Sequence, residues 1–304
     1  MSYLSILSIM KNEAMNLKIW IDHYRWQGVD HFYIIDNGCT DTSVQIIEDL
    51  IKDGYPITLY KLSEPHKQEE HYRYVYDKEK LQEKTKWLIV ADLDEFFYCN
   101  NSKISNELKK YEDYDLIKSK WRIFGSNNYI EHPKDIRISL TKREQKFNNS
   151  TKYIFQTKNI YSRYLECHNL NNGYINKIDL SEIFRLNHYQ IQSREYFEKV
   201  KMTRGDAVYI DLNNGFRNWN YFDNINKNID YEDNDLKNMI LNDNINDNTD
   251  SSNNDLKNMI LNDNINDNND LKNMILNDNI DYFRFYYILF ILLYFICDFF
   301  KILS

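Results

Sequence analysis

Apolar runs alternating with helically spaced stretches fill the first ninety or so residues, and this alternation constrains the fold more than any other feature of the chain. Residues 4–10 (LSILSIM) read as a strand that delivers Lys11, Asn12 and Glu13 to its carboxyl end. Leu17, Trp20, Ile21 and Tyr24 then recur at steps of three and four, which predicts a helix over 15–27 stopped by Gly28. A strand at 31–35 follows, and after the Asn37-Gly38 turn Asp41 or Thr42 can cap a helix over 43–52. A strand at 56–62, a helical stretch over 66–86 and a strand at 87–91 complete the series. The pattern predicts an α/β fold, a parallel sheet with helices on both faces, in which ligands bind at the carboxyl edge of the strands. Beyond residue 100 it loosens into a helix over 104–112, a strand over 116–121, an FGS turn, a mixed region, and a closing helix from 194 to about 202.

Composition divides the rest. Residues 1–222 mix aromatics, aliphatics and charges as one globular domain does, whereas 223–280 are largely Asn, Asp and repeated words. The phrase DLKNMILNDN begins at Asp235, Asp255 and Asp270, offsets of 20 and 15 residues. Stacked solenoid repeats keep a nearly constant period, so this segment is expected to be a disordered spacer with helix-prone islands at LKNMIL. Residues 281–304 form an apolar tail, expected to be helical, in which Arg284 and Asp298 leave 13 uninterrupted apolar residues. That is short of the ~20 needed to span a bilayer, and with snorkelling at the ends it reads equally as a membrane anchor or an interfacial helix.

A formal charge of −8 argues against nucleic acid as a partner. The four cysteines are scattered, without a CxxC pair, and fit free thiols in a reducing compartment. The first residues lack the basic leader and cleavage site of a signal peptide, so the expected location is the cytoplasmic face, with the tail as the membrane contact.

The sharpest chemical feature is DLDEF at 92–96, directly after the strand WLIVA. Asp92 and Asp94, one residue apart at a strand end, can both turn toward one divalent cation, Mn or Mg, held between protein and phosphates. A bare DxD is more often a solvated acidic turn; its place at the carboxyl edge raises the metal reading. A haloacid dehalogenase-type phosphatase also carries DxD after a strand, but after the first strand and followed by Thr or Val, where Phe96 stands here. Asp36 ends the second strand, where a carboxylate can meet a nucleobase or ribose or simply make an Asx turn with Asn37-Gly38.

KNEAMNLKIWIDHYRWQGVDHFYIIDNGCTD followed by DLDEF resembles the family 2-like and family 92 glycosyltransferases. WRIFGSNNY at 121–129, TKYI at 151–154 and LNHYQIQSREYFEKVKMTRG at 186–205 continue the resemblance, which covers residues 3–206. It implies a GT-A fold, a nucleotide-sugar donor, a cation on Asp92 and Asp94, and Asp36 on the nucleotide. It also places His188 on the metal or diphosphate, with His168 as a weaker second. Lys11, Glu13, Lys152 and Arg204 are further donor-side candidates, Glu13 more as a buttress of the sheet edge. Gln192 stands where relatives often carry Lys, so a positive contact is lost or supplied by Lys199, Lys201 or Arg204; Cys39 and Asn127 also depart from the pattern. Trp121, Phe124 and Tyr129 offer a sugar-stacking wall or ordinary core. An inverting transfer needs a base near the acceptor, for which Glu131 and Glu182 are candidates.

The expected activity is therefore metal-dependent transfer of a sugar from a nucleoside-diphosphate donor to a glycan, lipid or protein acceptor. The alternative is a degenerate GT-A nucleotide- or glycan-binding module. A nucleotidyltransferase ranks last, because KNEAMN lacks the glycine-rich phosphate loop.

Overall fold

The structure, a computed structural model, describes residues 1–170, 175–204 and 217–246. Met1–Ile240 forms one compact unit; of the second unit, Leu241–Ser304, only the end of one helix falls among the described residues. The later repeats and the apolar tail lie outside them. Among the described residues no helix is long and apolar enough to cross a membrane.

The first half follows the alternation read from the sequence: β1 (Ser2–Met10), α1 (Leu17–Trp26), β2 (His31–Asp36), α2 (Ser43–Lys52), β3 (Ile57–Lys61), α3 (Gln68–Lys78), α4 (Leu81–Lys84) and β4 (Thr85–Val90). Among these, β2 pairs with β3, β1 with β2 and β1 with β4, all parallel. Successive side chains of a strand point to opposite faces. Leu4 and Ile6 of β1 accordingly join Trp20, Ile21 and Ile47 of α1 and α2, while Leu7 joins Tyr72, Val75 and Tyr76 of α3. Helices thus cover both faces, as expected. The single helix expected over 66–86 is instead broken at Lys80, whose φ of 52° no continuous helix allows.

The second half, where the sequence pattern loosened, adds antiparallel pairs to a sheet that stays mainly parallel, as the fold class predicted. β5 (Glu95–Cys99), α5 (Ile104–Glu107), β6 (Leu116–Ile123), α6 (Ile136–Ser139), β7 (Lys142–Arg143), β8 (Thr151–Gln156), β9 (Lys177–Asp179) and β10 (Phe184–His188) lead to α7 (Arg194–Tyr196) and a π-helical turn, Phe197–Lys201. β8 is antiparallel to both β4 and β6, and β10 lies parallel to β6 and antiparallel to β5. Among the described residues the sheet order is β3-β2-β1-β4-β8-β6-β10-β5, with β9 beside β6: a mixed α/β fold in which the parallel half carries the carboxyl edge.

Residues 223–240, expected as spacer, carry the end of α8 (Trp219–Asn226), β11 (Tyr231–Glu232) and the start of α9 (Asp235–Asn246). β11 pairs antiparallel with β7, and Leu236 and Ile240 are buried. Asp233 is buried between two guanidiniums, 2.5 Å from Arg143 Nε and 3.4 Å from Arg122 NH1. Asn226 Oδ1 accepts the Ser126 amide at 3.0 Å. A Cβ on Gly125 would meet Ile229 Cγ2 at 2.7 Å, so this segment packs closely enough on the FGS turn to require its glycine. The first repeat word is helical, as its composition suggested.

α1 ends in a Schellman motif: Val29 N–H bonds the Tyr24 carbonyl and Gly28 N–H that of Arg25, both at 2.9 Å. Gly28 sits at φ 89°, and a Cβ there would lie 2.0 Å from Ser105 Oγ. Gly28→Ala combines left-handed strain with a clash and is expected to cost roughly 1–3 kcal/mol, read as a lower urea midpoint at unchanged slope.

Candidate active site

The acidic loop is shaped by α1. Leu93 and Asp94 form a turn closed by the Glu95 amide on the Asp92 carbonyl at 3.1 Å. Trp20 Nε1–H donates to the carbonyls of Asp92 and Glu95, both at 3.0 Å. The Tyr24 hydroxyl donates to the Glu95 carbonyl at 3.0 Å and accepts the Phe97 amide at 3.1 Å. His23 Nε2–H donates to the Phe97 carbonyl at 2.7 Å. The W-I-D-H-Y stretch thus fixes the backbone on which Asp92 and Asp94 stand, with Trp20, His23 and Tyr24 all fully buried.

Burial lowers the His23 pKa from 6.5 to about 3, with the Arg137 charge adding to the effect and the Phe97 carbonyl opposing it. The unfolded chain protonates this imidazole near 6.5 and the folded chain does not until about 3. The stability it contributes is therefore complete above pH 6.5 and is lost as pH falls toward 3. At pH 5 the loss is about 2 kcal/mol relative to neutral pH. His23→Gln should flatten that dependence in chemical denaturation across the same pH range.

A cleft of about 650 Å³ opens at the carboxyl edge of β1, β2 and β4, and both Asp92 and Asp94 line it. Each is matched to a buried lysine. Asp92 Oδ2 is 2.9 Å from Lys152 Nζ, and its Oδ1 accepts from Gln68 Nε2 at 3.1 Å. Asp94 Oδ2 is 2.5 Å from Lys201 Nζ and 3.6 Å from His188 Nε2. Burial alone would push both carboxyls up; the Lys152 charge holds Asp92 below its ordinary range, and Lys201 with His188 holds Asp94 well below it. Glu95, fully buried, accepts the Asp92 amide at 2.9 Å and lies 3.5 Å from Lys152. Burial raises its pKa to about 7 despite that lysine.

The other predicted residues separate into those in the cleft and those outside it. Lys11, Glu13, His168, His188 and Arg204 line it. Glu13 is a buried buttress, 2.5 Å from Arg204 NH2 and accepting the Tyr196 hydroxyl at 3.0 Å. Lys11 is turned onto the carbonyls of Asn37 and Gly38, at 3.0 and 2.5 Å. Asp36 and Lys152 do not line the cleft: Asp36 accepts the Cys39 amide at 2.7 Å within its own turn, and Lys152 lies beneath, supporting Asp92. Neither base candidate reaches it. Glu131 is exposed on the loop after the FGS turn, and Glu182 pairs at 3.1 Å with Arg122, neither of which lines the cleft. Of the three basic residues considered in place of a lysine at Gln192, Lys201 and Arg204 enter the cleft, while Lys199 pairs at the surface with Glu195 at 2.7 Å. Gln192 is buried at φ 49° and accepts from Asn16 at 2.7 Å.

Trp121 lines the cleft, its ring 4.2 Å from that of His188 and 5.2 Å from that of His168, whereas Phe124 is core against Tyr189 and Tyr129 is exposed outside the cleft lining. Sequence reasoning missed Gln68, Glu69 and Glu95; only the position of Glu95 within DLDEF offered a signal. Among the described residues no group of three or more His, Cys, Asp or Glu side chains stands ready to hold a metal ion. The donor types around Asp94 nevertheless suit a hard divalent cation: two carboxylates face one cleft, and the His188 imidazole has its Nε2 toward Asp94 while its buried Nδ1 has no hydrogen-bond partner. Lys201 now occupies the Asp94 oxygen such an ion would use.

Comparison with known proteins identifies the family of the chain. The glycosyltransferase family 92 model matches residues 5–240. A family 92 protein of Arabidopsis thaliana is 24% identical over 223 residues, covering 68% of this chain and 38% of that protein. One from Ricinus communis is 29% identical over 91 residues, covering 30% of this chain and 15% of that protein. The chain therefore spans well under half the length of these relatives. Among solved structures, S. aureus TarS 1-349 in complex with UDP-GlcNAc overlaps with a TM-score of 0.41 at 13% identity, covering 67% of each chain. HddC from Yersinia pseudotuberculosis gives 0.37 at 15% identity, covering 65% of this chain and 97% of that one. A family match that runs from within β1 through β11 and takes in the whole described lining of the cleft places the chain in glycosyltransferase family 92.

Proposed function

We propose that the chain transfers a glycosyl group from a nucleoside-diphosphate sugar seated in the cleft to a glycan, lipid or protein acceptor, with GT-A architecture and dependence on a divalent cation. One observation carries this reading: Asp92 and Asp94 open into a single cleft together with the basic side chains of Lys201 and Arg204. That pairing of acidic and basic groups suits a cation and a diphosphate held together, and neither alone.

In this reading Asp92, Asp94 and His188 hold Mn or Mg, which when bound supplies Lewis-acid neutralisation of the departing diphosphate. Lys152 and Glu95 set the Asp92 side chain from below. Arg204 lines the cleft, oriented by Glu13 and the Lys11 carbonyl, and its remaining N–H groups would serve the diphosphate. Trp121 offers its ring face as a wall for a sugar. An inverting displacement needs a base; beside the two aspartates the carboxylates lining the cleft among the described residues are Glu13, paired with Arg204, and Glu69, paired with Arg73 at 3.0 Å.

The alternative is a module that binds the donor without turning it over, favoured by the fact that neither Glu131 nor Glu182 lines the cleft. Incubating the full chain with a panel of UDP- and GDP-sugars and Mn, and measuring nucleoside diphosphate released, separates the two. Transfer or hydrolysis abolished by EDTA supports the enzyme. Saturable donor binding without release supports the module, and neither binding nor release sinks both.

The C-terminal tail as a membrane contact, resting on the apolar sequence of residues 281–304, and the cytoplasmic face as the location, resting on four scattered cysteines that fit a reducing compartment, belong to the same proposal. Vesicle flotation with and without that segment tests them.

A further inference from the structure

Among the described residues four lysine and arginine side chains line the cleft, Lys11, Lys201, Arg204 and Arg217, and the first three are not equivalently held. Lys11 is fastened to two backbone carbonyls, and Arg204 to Glu13 and to the Lys11 carbonyl. Lys201 is fastened to Asp94 Oδ2, at 2.5 Å, with the Tyr196 ring 5.7 Å away. It is 4% exposed, so its ammonium has given up nearly all its water for that one carboxylate. The residue reaches this place from a five-residue π turn, Phe197–Lys201, closed by the Met202 amide on the Phe197 carbonyl at 2.9 Å. Such turns insert one residue into a helix, and they concentrate at functional sites.

We propose that Lys201 is the resident counter-ion of Asp94, which yields the carboxylate to an incoming divalent cation and turns to the diphosphate of the donor. The inference rests on the metal-dependent reading above. An ammonium and a divalent cation cannot share Asp94 Oδ2, because they compete for the same lone pairs and repel each other in a site of low dielectric. His188, 3.6 Å from that oxygen, loses nothing by the exchange, since a neutral imidazole can ligate a metal. The displaced ammonium lies on a side chain with four rotatable bonds, in a cleft where the next anion to arrive is a diphosphate. No covalent bond is made or broken; one positive charge leaves Asp94 as two arrive, and the excess is met by the donor. Cation and donor should accordingly bind cooperatively, each favouring the rearrangement the other needs.

The test is a titration of the full chain with Mn alone, following free Mn by its paramagnetic resonance signal, and again with UDP present. Wild type is expected to bind Mn weakly alone and at least about tenfold more tightly with saturating UDP. Lys201→Met, lacking the competitor, is expected to bind Mn alone about tenfold more tightly than wild type, while its UDP affinity in saturating Mn falls by a similar factor. A melting scan confirms that the variant is folded; should it not be, Lys201→Gln keeps a hydrogen-bond donor to Asp94 without the charge and carries the same expectation. Equal or weaker Mn binding by the variant, with Mn binding by wild type intact, overturns the counter-ion role alone. No Mn binding by either protein, with or without UDP, overturns the metal-dependent reading and this inference with it.

Discussion

Asp94→Asn is expected to leave the chain folded and to lower nucleoside-diphosphate release from its sugar donor by about three orders of magnitude. The carboxylate is buried, held well below its ordinary pKa by Lys201 and His188, and lines the cleft, so it presents a negative charge there, now met by Lys201. The amide retains the shape and can still accept from Lys201, but it leaves that buried ammonium without a counter-charge, so the melting temperature is expected to fall while the fold is kept. The amide also removes the negative charge that would hold the ion. Loss of one preorganised electrostatic contact to a departing oxyanion typically costs ~10²–10³ in rate, and loss of a metal's position costs more. The check is initial-rate kinetics alongside a melting scan. A folded variant within threefold of wild-type activity would remove Asp94 from the chemistry.

Lys152→Met should cost about 3–5 kcal/mol of folding stability, the range for breaking a buried pair from one side. Lys152 is 0% exposed and faces two carboxylates, Asp92 at 2.9 Å and Glu95 at 3.5 Å, the second also 0% exposed. The defect has a pH signature. Glu95 already titrates near 7 in the fold against 4.5 when unperturbed, because burial outweighs the lysine. Without the lysine its folded pKa rises further, so the folded state holds a proton that the unfolded state has released, and stability falls as pH climbs from 4.5 through 7. Urea denaturation at pH 5 and pH 8 should therefore show the larger loss at the higher pH. A loss below about 1 kcal/mol at both would mean that the carboxylates are not buried with the lysine as described.

The parallel half of the sheet was legible because β1, β2 and β4 are continuous apolar runs with turn residues after them, and because Leu17, Trp20, Ile21 and Tyr24 keep helical spacing. The antiparallel half was not, for a reason visible in its strands. β8 carries Lys152 and β10 carries Asn187 and His188 at buried positions, and buried polar groups erase the apolar pattern by which strands are read. In β5, EFFYC continues directly from the acidic motif, so its first residue looked like part of the loop. The left-handed Lys80 that splits the helical stretch has no signature in residue type. Asn-rich composition likewise hid the packing of 223–240, where Leu236, Ile240 and the Asp233 ion pairs hold a polar segment in place.

The site divides the same way. The strand-end position of Asp92 and Asp94 could be read from spacing, since the edge of a parallel sheet collects ligand-facing residues. The base candidates Glu131 and Glu182 came from proximity in sequence to motifs, and neither lines the cleft: Glu182 lies just before β10 and pairs with Arg122 of the neighbouring β6. Which of Lys199, Lys201 and Arg204 would enter the cleft depends on the π turn, a change of helical register that residue type does not announce.

The most direct measurement is a crystal structure of the chain with Mn and UDP, using anomalous scattering at the Mn edge. The account predicts an anomalous peak about 2.2 Å from an Asp94 carboxylate oxygen, with the diphosphate between that ion and Arg204 and with Asp92 in direct or water-bridged contact. UDP bound with Lys201 still on Asp94 and no anomalous density in the cleft would contradict it.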